Sequence, residues 1–192
     1  TKTYELPTTI SNCSNNYGPY QFPEKLIPLM LTNALEGKKL PIYGNGSNVR
    51  DWLHVDDHCE AIMRIIDSGK IGSTYNIGGN NQVANIDLVL KLCDLLDEKI
   101  SKKDKFIKLF PECSIVKNKQ SRDLIEFIKD RPGHDKRYAI DANKIANELG
   151  FNPQISFLDG LSTTIDWYLK HIDWWRALKT GEYHAWLKKH YS

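Results

Sequence analysis

The side chains best suited to chemistry are cations that stand beside glycine or proline at the ends of predicted elements. Lys25 opens a predicted helix, Arg50 opens a predicted strand after a glycine turn, and Arg131 and His134 flank the Pro-Gly corner of "DRPGHD". Most such cations are simply solvated surface charges. Their position at element ends, where loops build sites, nevertheless indicates a diphosphate ligand, because guanidinium and ammonium groups bind phosphate oxygens. The nearby run Pro41–Tyr43 is either a ring-sized apolar slot for a base or an ordinary strand.

A second candidate is the pair of histidines in "HVDDH". His54 and His58 have the i, i+4 spacing that can ligate a metal ion, with Asp57 nearby. Their rings converge only if both residues are helical. The preferred interpretation is that Asp56 caps the helix while His54 still lies in the preceding strand. We therefore predict no metal site.

The sequence carries no other familiar catalytic motif. It has no GxSxG elbow, and Ser47, the serine near a glycine-rich turn, has no obvious His and Asp partners. It has no GxxxxGK[ST] phosphate loop. The glycine pairs of "YGNGS" and "NIGGNN" do not open a helix with GxGxxG spacing, so both are predicted to be turns.

Length and composition describe an ordinary globular chain. Its 192 residues suffice for one hydrophobic core or a domain with a small satellite, and 41% are hydrophobic. A net charge of +2 gives no reason to expect binding to nucleic acid or to a membrane. The four cysteines form no CxxC pair, which predicts reduced thiols in a cytoplasmic protein. No apolar run spans a membrane and no signal-peptide pattern opens the chain.

Strand and helix patterns alternate along the chain, which predicts an α/β fold. Too few strands are present for a complete doubly wound sheet. Residues 101–129 are lysine-rich and weakly periodic, and we expect an exposed connection with one short element there. A helix with a buried stripe of Ala61, Ile62, Ile65 and Ile66 is predicted to begin at Asp56. Further strands are expected at 7–13, 73–79 and 135–141, and 39–55 is expected to form two short strands joined by a glycine-bearing turn at 44–47. Further helices are expected at 24–37, 85–100, 142–150 and in two segments after 156.

Several longer motifs together carry a family resemblance. "NCSNNYGPYQFPEKLIP", "LPIYGNGSNVRDWLHVDDH", "TYNIGG", "DRPGHDKRYAID" and the C-terminal "WYL" segment are similar to dTDP-glucose 4,6-dehydratases, which are extended short-chain dehydrogenases/reductases. The first and fourth motifs are specific, and the match weakens at 101–129. The resemblance implies the C-terminal edge of a Rossmann-type doubly wound sheet, of which residues 1–20 are a remnant, plus a smaller, mostly helical substrate-binding domain.

The resemblance also implies a role for individual residues. Asn16 is expected to meet the nicotinamide cofactor, NAD. Pro41, Ile42 and Tyr43 are expected to hold the thymine base. The other substrate-binding residues that it implies are Asn15, Lys25, Leu26, Arg50, Asn85, Asp130, Arg131, Pro132, Gly133, His134 and Tyr191.

In the family, NAD takes a hydride from C4 of the glucose and returns it to C6 after water is lost, in the deoxysugar (rhamnose-type) pathway. The tyrosine base of a YxxxK motif and a GxxGxxG loop serve that chemistry, and neither motif occurs in this sequence. The chain opens without Met inside a strand pattern, so we expect a C-terminal portion, inactive alone, without the N-terminal NAD-binding domain. The full-length enzyme is expected to be a homodimer. The alternatives are a stand-alone binding module and another family member, such as an epimerase or decarboxylase.

Overall fold

The computed structural model describes residues 3–101 and 104–179. They divide into two compact units, and each unit is assembled from three separate stretches of chain. The first unit comprises Thr1–Gly18, Val49–Val83 and Asp135–Gly160. The second comprises Pro19–Asn48, Ala84–His134 and Leu161–Ser192.

The first unit is built on parallel strands. Strand β1 (Ile10–Cys13) pairs with β5 (Thr74–Ile77). Strand β2 (Asn15–Tyr17) pairs with β4 (Val49–His54), which also pairs with β8 (Arg137–Tyr138) and neighbours β6 (Gln82–Ala84). Together with the helices of the chain, this parallel pairing confirms the α/β prediction.

Two helices complete the core of the first unit. They are α2 (Val55–Ser68) and α5 (Asn143–Leu149), which ends at Gly150 in the left-handed conformation (φ 63°). Their apolar faces meet the strands in a fully buried cluster, which contains Leu53, Ala61, Ile65, Tyr75, Ile77, Ile145 and Phe151. The removal of this apolar surface from water holds the unit together.

The second unit contains a two-stranded parallel sheet and most of the helices. Strand β3 (Leu40–Tyr43) pairs with β7 (Ile125–Ile128). The helices that begin in this unit are α1 (Leu26–Leu35), α3 (Asn85–Ser101), α4 (Asp104–Leu109) and α7 (Ile172–Leu178), and α6 (Phe157–Lys170) enters it at Leu161. Apolar faces of α1 and α3 are buried, as the sequence predicts.

Three expectations from the sequence are wrong. His54, not Asp56, caps α2, because its Nδ1 accepts the backbone N–H of Asp56 at 3.3 Å. Ile66 is 69% exposed rather than buried. The segment 101–129, although largely exposed, has more than one short element: beyond α4 it forms two 3-10 helices (Ser114–Lys117 and Ser121–Leu124) and β7, and it buries Phe106, Phe110 and Cys113.

All four cysteines are free thiols. Within the described ranges 3–101 and 104–179, the structure has no helix with the length and apolar character of a membrane span.

Candidate functional site

Four of the predicted site residues meet at the carboxyl ends of β3 and β7, in the second unit. The guanidinium of Arg131 lies 6.0 Å from the centre of the Tyr43 ring. The His134 ring meets the same tyrosine edge-on, with 6.0 Å between ring centres. His134 Nδ1 lies 2.7 Å from Asp130 Oδ1. We call Tyr43, Asp130, Arg131 and His134 the Tyr43 cluster. It brings together an aromatic ring, a guanidinium and an imidazole.

Strand register brings the two halves of this cluster together. Tyr43 is paired with Ile128, so the chain leaves both strands at the same end. Gly44 follows Tyr43 with φ 57°, a conformation that side chains rarely adopt, and a Cβ atom there would lie 3.3 Å from Asp130 Oδ2. Glycine at position 44 therefore makes room for the Asp130 carboxylate.

The rest of the predicted base slot lies on β3 itself. Ile42 is 3% exposed and points into the core, whereas Pro41 and Tyr43 are half-buried. This alternation is the ordinary pattern of a strand. Pro41 and Tyr43 therefore share the face of β3 opposite Ile42.

The turn at residues 44–48 connects this strand to Asn85. The backbone N–H groups of Asn85 and Ile86 donate to the carbonyl oxygens of Asn48 and Gly46, each at 3.0 Å. A Cβ atom on Gly46 would lie 2.8 Å from Ile86 Cβ, so only glycine allows this approach. Asn85 Oδ1 is buried and accepts no hydrogen bond from the described part of the chain. A buried acceptor of this kind is costly unless a water or a ligand donates to it.

Lys25 and Leu26 stand at the start of α1. Lys25 is the N-cap residue, and its Nζ lies 2.8 Å from Glu24 Oε1 while its side chain remains 59% exposed. No acidic residue lies in the first turn of α1. The helix N-terminus and Lys25 are thus both favourable to an anion.

Asn15, Asn16 and Arg50 belong to the first unit. Asn15 is paired with Trp52 and Asn16 with Leu53, and Asn16 Nδ2 donates to the Ser14 carbonyl oxygen at 2.9 Å. Arg50 is only 9% exposed, and its Nη1 donates to the Val49 carbonyl oxygen at 2.8 Å. Arg50 is therefore more buried than a solvated surface charge.

Asp51, next to Arg50, has a structural role that the sequence does not suggest. Its carboxylate accepts the backbone N–H groups of Gly79 and Asn81 at 2.9 and 2.7 Å, and it is 2% exposed. A Cβ atom on Gly79 would lie 1.9 Å from the Trp52 carbonyl oxygen. Asp51 and Gly79 together hold the "NIGGNN" turn against β4, which confirms that these glycines serve a turn.

Two buried tyrosines are unsuited to act as bases. Burial raises the pKa of Tyr17 well above its ordinary value, and the carboxylates of Asp57 and Asp159 raise it further. Burial likewise raises the pKa of Tyr168. A catalytic tyrosine base needs the opposite shift, toward neutral pH.

The remaining predicted residues form no further cluster. Pro132 and Gly133 are exposed in the corner between Arg131 and His134, and no atom lies within 4 Å of a Cβ built on Gly133. Tyr191 lies outside the described residues. His54 ends β4 and is not on the helix with His58; among the residues that the structure describes, no three His, Cys, Asp or Glu side chains are grouped to hold a metal ion.

Comparison with known proteins assigns the chain to a family. Residues 1–164 match the family model described as GDP-mannose 4,6 dehydratase. A dTDP-glucose 4,6-dehydratase of Shigella flexneri is 52% identical over 191 residues, which are 100% of this chain and 49% of that protein. The chain thus spans about half the length of the curated relatives it matches.

Solved structures agree with this result. The dTDP-glucose 4,6-dehydratase of Bacillus anthracis in complex with NAD is 49% identical, with a TM-score of 0.74 over 93% of this chain and 50% of that chain. The corresponding enzyme of Streptomyces venezuelae, also with NAD bound, is 43% identical, with a TM-score of 0.79 over 93% and 48%. These matches confirm the predicted resemblance and the Rossmann-type α/β fold class. The chain belongs to the GDP-mannose 4,6 dehydratase family, and within it is most similar in these comparisons to dTDP-glucose 4,6-dehydratases.

Proposed function

We propose that this chain is the nucleotide-sugar-binding part of an NAD-dependent dTDP-glucose 4,6-dehydratase. The protein as a whole would convert dTDP-glucose to dTDP-4-keto-6-deoxyglucose and water. The observation that carries the proposal is the Tyr43 cluster, in which an aromatic ring, a guanidinium and an imidazole lie at one end of a two-stranded sheet. Roughly 50% identity to enzymes of this name supports the choice of substrate.

Each part of the ligand has a matching feature. The thymine ring packs on the face of β3 that carries Pro41 and Tyr43. Asn85 Oδ1, which is buried without a donor among the described residues, accepts a hydrogen bond on the nucleoside side. The diphosphate, with its negative charge, is bound in the second unit by Arg131 and His134 and by Lys25 with Leu26 at the α1 N-terminus. Asp130, Pro132, Gly133 and Tyr191 complete this proposed substrate-binding set. Arg50 and Asn15, which lie in the first unit, are proposed as substrate-binding residues from the family resemblance alone.

The catalytic role of the chain is limited in this proposal. NAD, when bound, supplies the hydride acceptor and donor, and Asn16 is the one residue of this chain that we assign to it. The sequence has no YxxxK motif, and the buried Tyr17 and Tyr168 hold their protons. The 192-residue chain therefore binds the sugar nucleotide without turning it over and does not retain NAD by itself.

We further propose that the whole enzyme is a cytoplasmic homodimer.

Titration calorimetry with dTDP-glucose tests the proposal. We expect saturable binding that is tighter than binding of UDP-glucose or CDP-glucose. Replacing Arg131 by Ala is expected to weaken binding by a factor of roughly 10 to 150, since a charge-assisted hydrogen bond contributes roughly 1.5–3 kcal/mol. Arg50→Ala is expected to abolish measurable binding, with circular dichroism confirming that the variant folds.

Lys91→Ala is the matched control, because Lys91 is an exposed cation on α3 in the same unit as Arg131. The proposal is wrong if dTDP-glucose shows no saturable binding, or if Arg131→Ala and Arg50→Ala bind as tightly as Lys91→Ala. Formation of dTDP-4-keto-6-deoxyglucose by the isolated chain would contradict the proposed lack of turnover.

A further inference from the structure

One oxygen of the Asp130 carboxylate is hydrogen-bonded within the protein itself. Its Oδ1 lies 2.7 Å from His134 Nδ1 and also accepts the backbone N–H of Arg131 at 2.9 Å. The His134 side chain is only 5% exposed, so the surrounding chain covers the imidazole of the Asp130–His134 pair. Asp130 Oδ1 is therefore hydrogen-bonded to both Arg131 and His134, the two residues of this loop that are proposed to bind the diphosphate.

Among the described residues, the groups that face His134 come from its own loop and from β3. Asp130 and Arg131 are the charged groups of its own loop, and the next residue along the chain, Asp135, is another carboxylate. From β3, Tyr43 presents its ring, and Gly44 leaves the space that the Asp130 side chain fills. The hydrogen bond with His134 is the main cause that lowers the pKa of Asp130, so Asp130 stays a carboxylate near neutral pH.

An ionised carboxylate can only accept hydrogen bonds, which determines the protons on the imidazole. Nδ1 must carry a proton to donate to Asp130. Neutral His134 then has a lone pair, and no proton, on Nε2. Only the doubly protonated ring offers an Nε2–H to an anion.

We propose that Asp130 is a positioning residue that makes diphosphate binding depend on protonation of His134. Asp130 holds the ring by Nδ1 and so prevents the neutral form from donating through Nε2. The bound sugar nucleotide then selects the imidazolium, and binding takes up a proton. This inference rests on the proposed function, because it needs a diphosphate ligand at the Tyr43 cluster.

The sign of the pH effect follows from linkage. If the ligand binds the protonated form more tightly, its affinity falls as rising pH removes the proton from His134, by at most about tenfold per pH unit for one proton. The diphosphate of dTDP-glucose is a diester whose charge is constant in this range. The ligand itself therefore does not cause the change, whereas the terminal phosphate of dTDP would titrate.

The main experiment measures dTDP-glucose affinity by calorimetry from about pH 6 to 8, in buffers of different ionisation enthalpy. For the unaltered chain we expect affinity to fall with pH and the heat to report proton uptake. In Asp130→Asn the amide can donate to Nδ1, so neutral His134 carries its proton on Nε2. We expect this variant to bind with little pH dependence and, at the upper end of the range, at least as tightly as the unaltered chain.

Two further variants separate this mechanism from a merely structural role. His134→Gln is expected to give a flat pH profile. Asp104→Asn, which changes an exposed carboxylate on α4 in the same unit, is the matched control and is expected to keep the original profile. The inference is overturned if the unaltered chain binds without proton uptake, or if Asp130→Asn is weaker by the same factor at every pH.

A ligand-free measurement distinguishes failure of the inference from failure of the proposed function. Nitrogen chemical shifts of the His134 ring are expected to show the Nδ1–H tautomer in the unaltered chain at high pH and the Nε2–H tautomer in Asp130→Asn. An Nε2–H tautomer in the unaltered chain overturns the role of Asp130 even if dTDP-glucose binds. Absence of dTDP-glucose binding at every pH overturns the proposed function, and with it the link between His134 and the ligand.

Discussion

At the scale of single residues, the four thiols differ in how far water reaches them. Cys59 is exposed on α2 and Cys13 is half-buried, whereas Cys93 and Cys113 are fully buried. Burial raises the pKa of Cys93 to about 12 and also raises that of Cys113. The thiolate is the reactive form of cysteine. The two buried cysteines are therefore unreactive for two reasons: reagents cannot reach them, and their raised pKa keeps them protonated.

We therefore predict that an aromatic disulfide reagent at neutral pH reacts with Cys59 in a fast phase and with Cys13 more slowly. Cys93 and Cys113 are expected to react only after denaturant unfolds the chain. The count of released thiolate, followed by absorbance with and without denaturant, is the measurement. Cys59→Ser should remove the fast phase alone. A third reactive thiol in the native chain, fast or slow, would contradict the burial of Cys93 and Cys113.

Asp51 and His54 show where residue-level prediction succeeds and fails. The position of His54 at the end of a strand was predictable, because apolar residues surround it in "DWLHV". The role of Asp51 was not, because its partners Gly79 and Asn81 are distant in sequence and offer only backbone N–H groups. Because any residue can donate a backbone N–H group, the sequence around Gly79 and Asn81 does not indicate that they bind Asp51.

At the scale of elements, the turn between β3 and β4 depends on one glycine. Gly46 has φ 74°, and a Cβ atom there would lie 2.8 Å from Ile86 Cβ and 2.9 Å from Ile42 Cγ2. Gly133 has a similar φ of 68°, but nothing lies within 4 Å of the position that its Cβ would take. The two sites thus share backbone strain and differ in packing.

We predict that Gly46→Ala lowers the free energy of unfolding by about 2–5 kcal/mol, the sum of left-handed strain and overpacking. Gly133→Ala, the matched control, is expected to cost only the strain, roughly 1–2 kcal/mol. Urea denaturation followed by tryptophan fluorescence measures both. Equal losses in the two variants would show that the contact of Gly46 with Ile86 and Ile42 adds nothing.

The helices with a wide apolar face were predictable, and the segment 101–129 was not. In α3 the apolar positions recur at helical spacing over many turns. In the segment 101–129, by contrast, burial comes from short elements and from polar contacts. Ser121 is fully buried because its N–H and hydroxyl both donate to Asp97 on α3. Lysine content and weak periodicity could not reveal that attachment.

The base slot on β3 shows the same limit, since its burial pattern alone is that of any strand.

At the scale of the whole molecule, recognisable motifs predicted the fold class, whereas local patterns do not show which distant stretches of chain pack together. The resemblance implies that residues 1–20 are a remnant of the dinucleotide-binding sheet. In the structure, residues up to Gly18 form one compact unit with 49–83 and 135–160. Strand pairs such as Ile10 with Thr74 join positions too far apart for local periodicity to connect.

The outer strand of the first unit provides the last prediction. Among the described residues, β1 pairs only with β5, and Ile10 on β1 is 58% exposed. An open strand edge with apolar side chains is a template for pairing with another chain.

We expect the 192-residue chain to self-associate with rising concentration in sedimentation velocity experiments. Ile10→Lys should reduce this association, because it places a charge on the edge. Ile71→Lys is the matched control: Ile71 is 59% exposed, lies outside any strand and gains the same charge. An unaltered chain that stays monomeric, or equal effects of the two lysines, would exclude β1 as the associating edge.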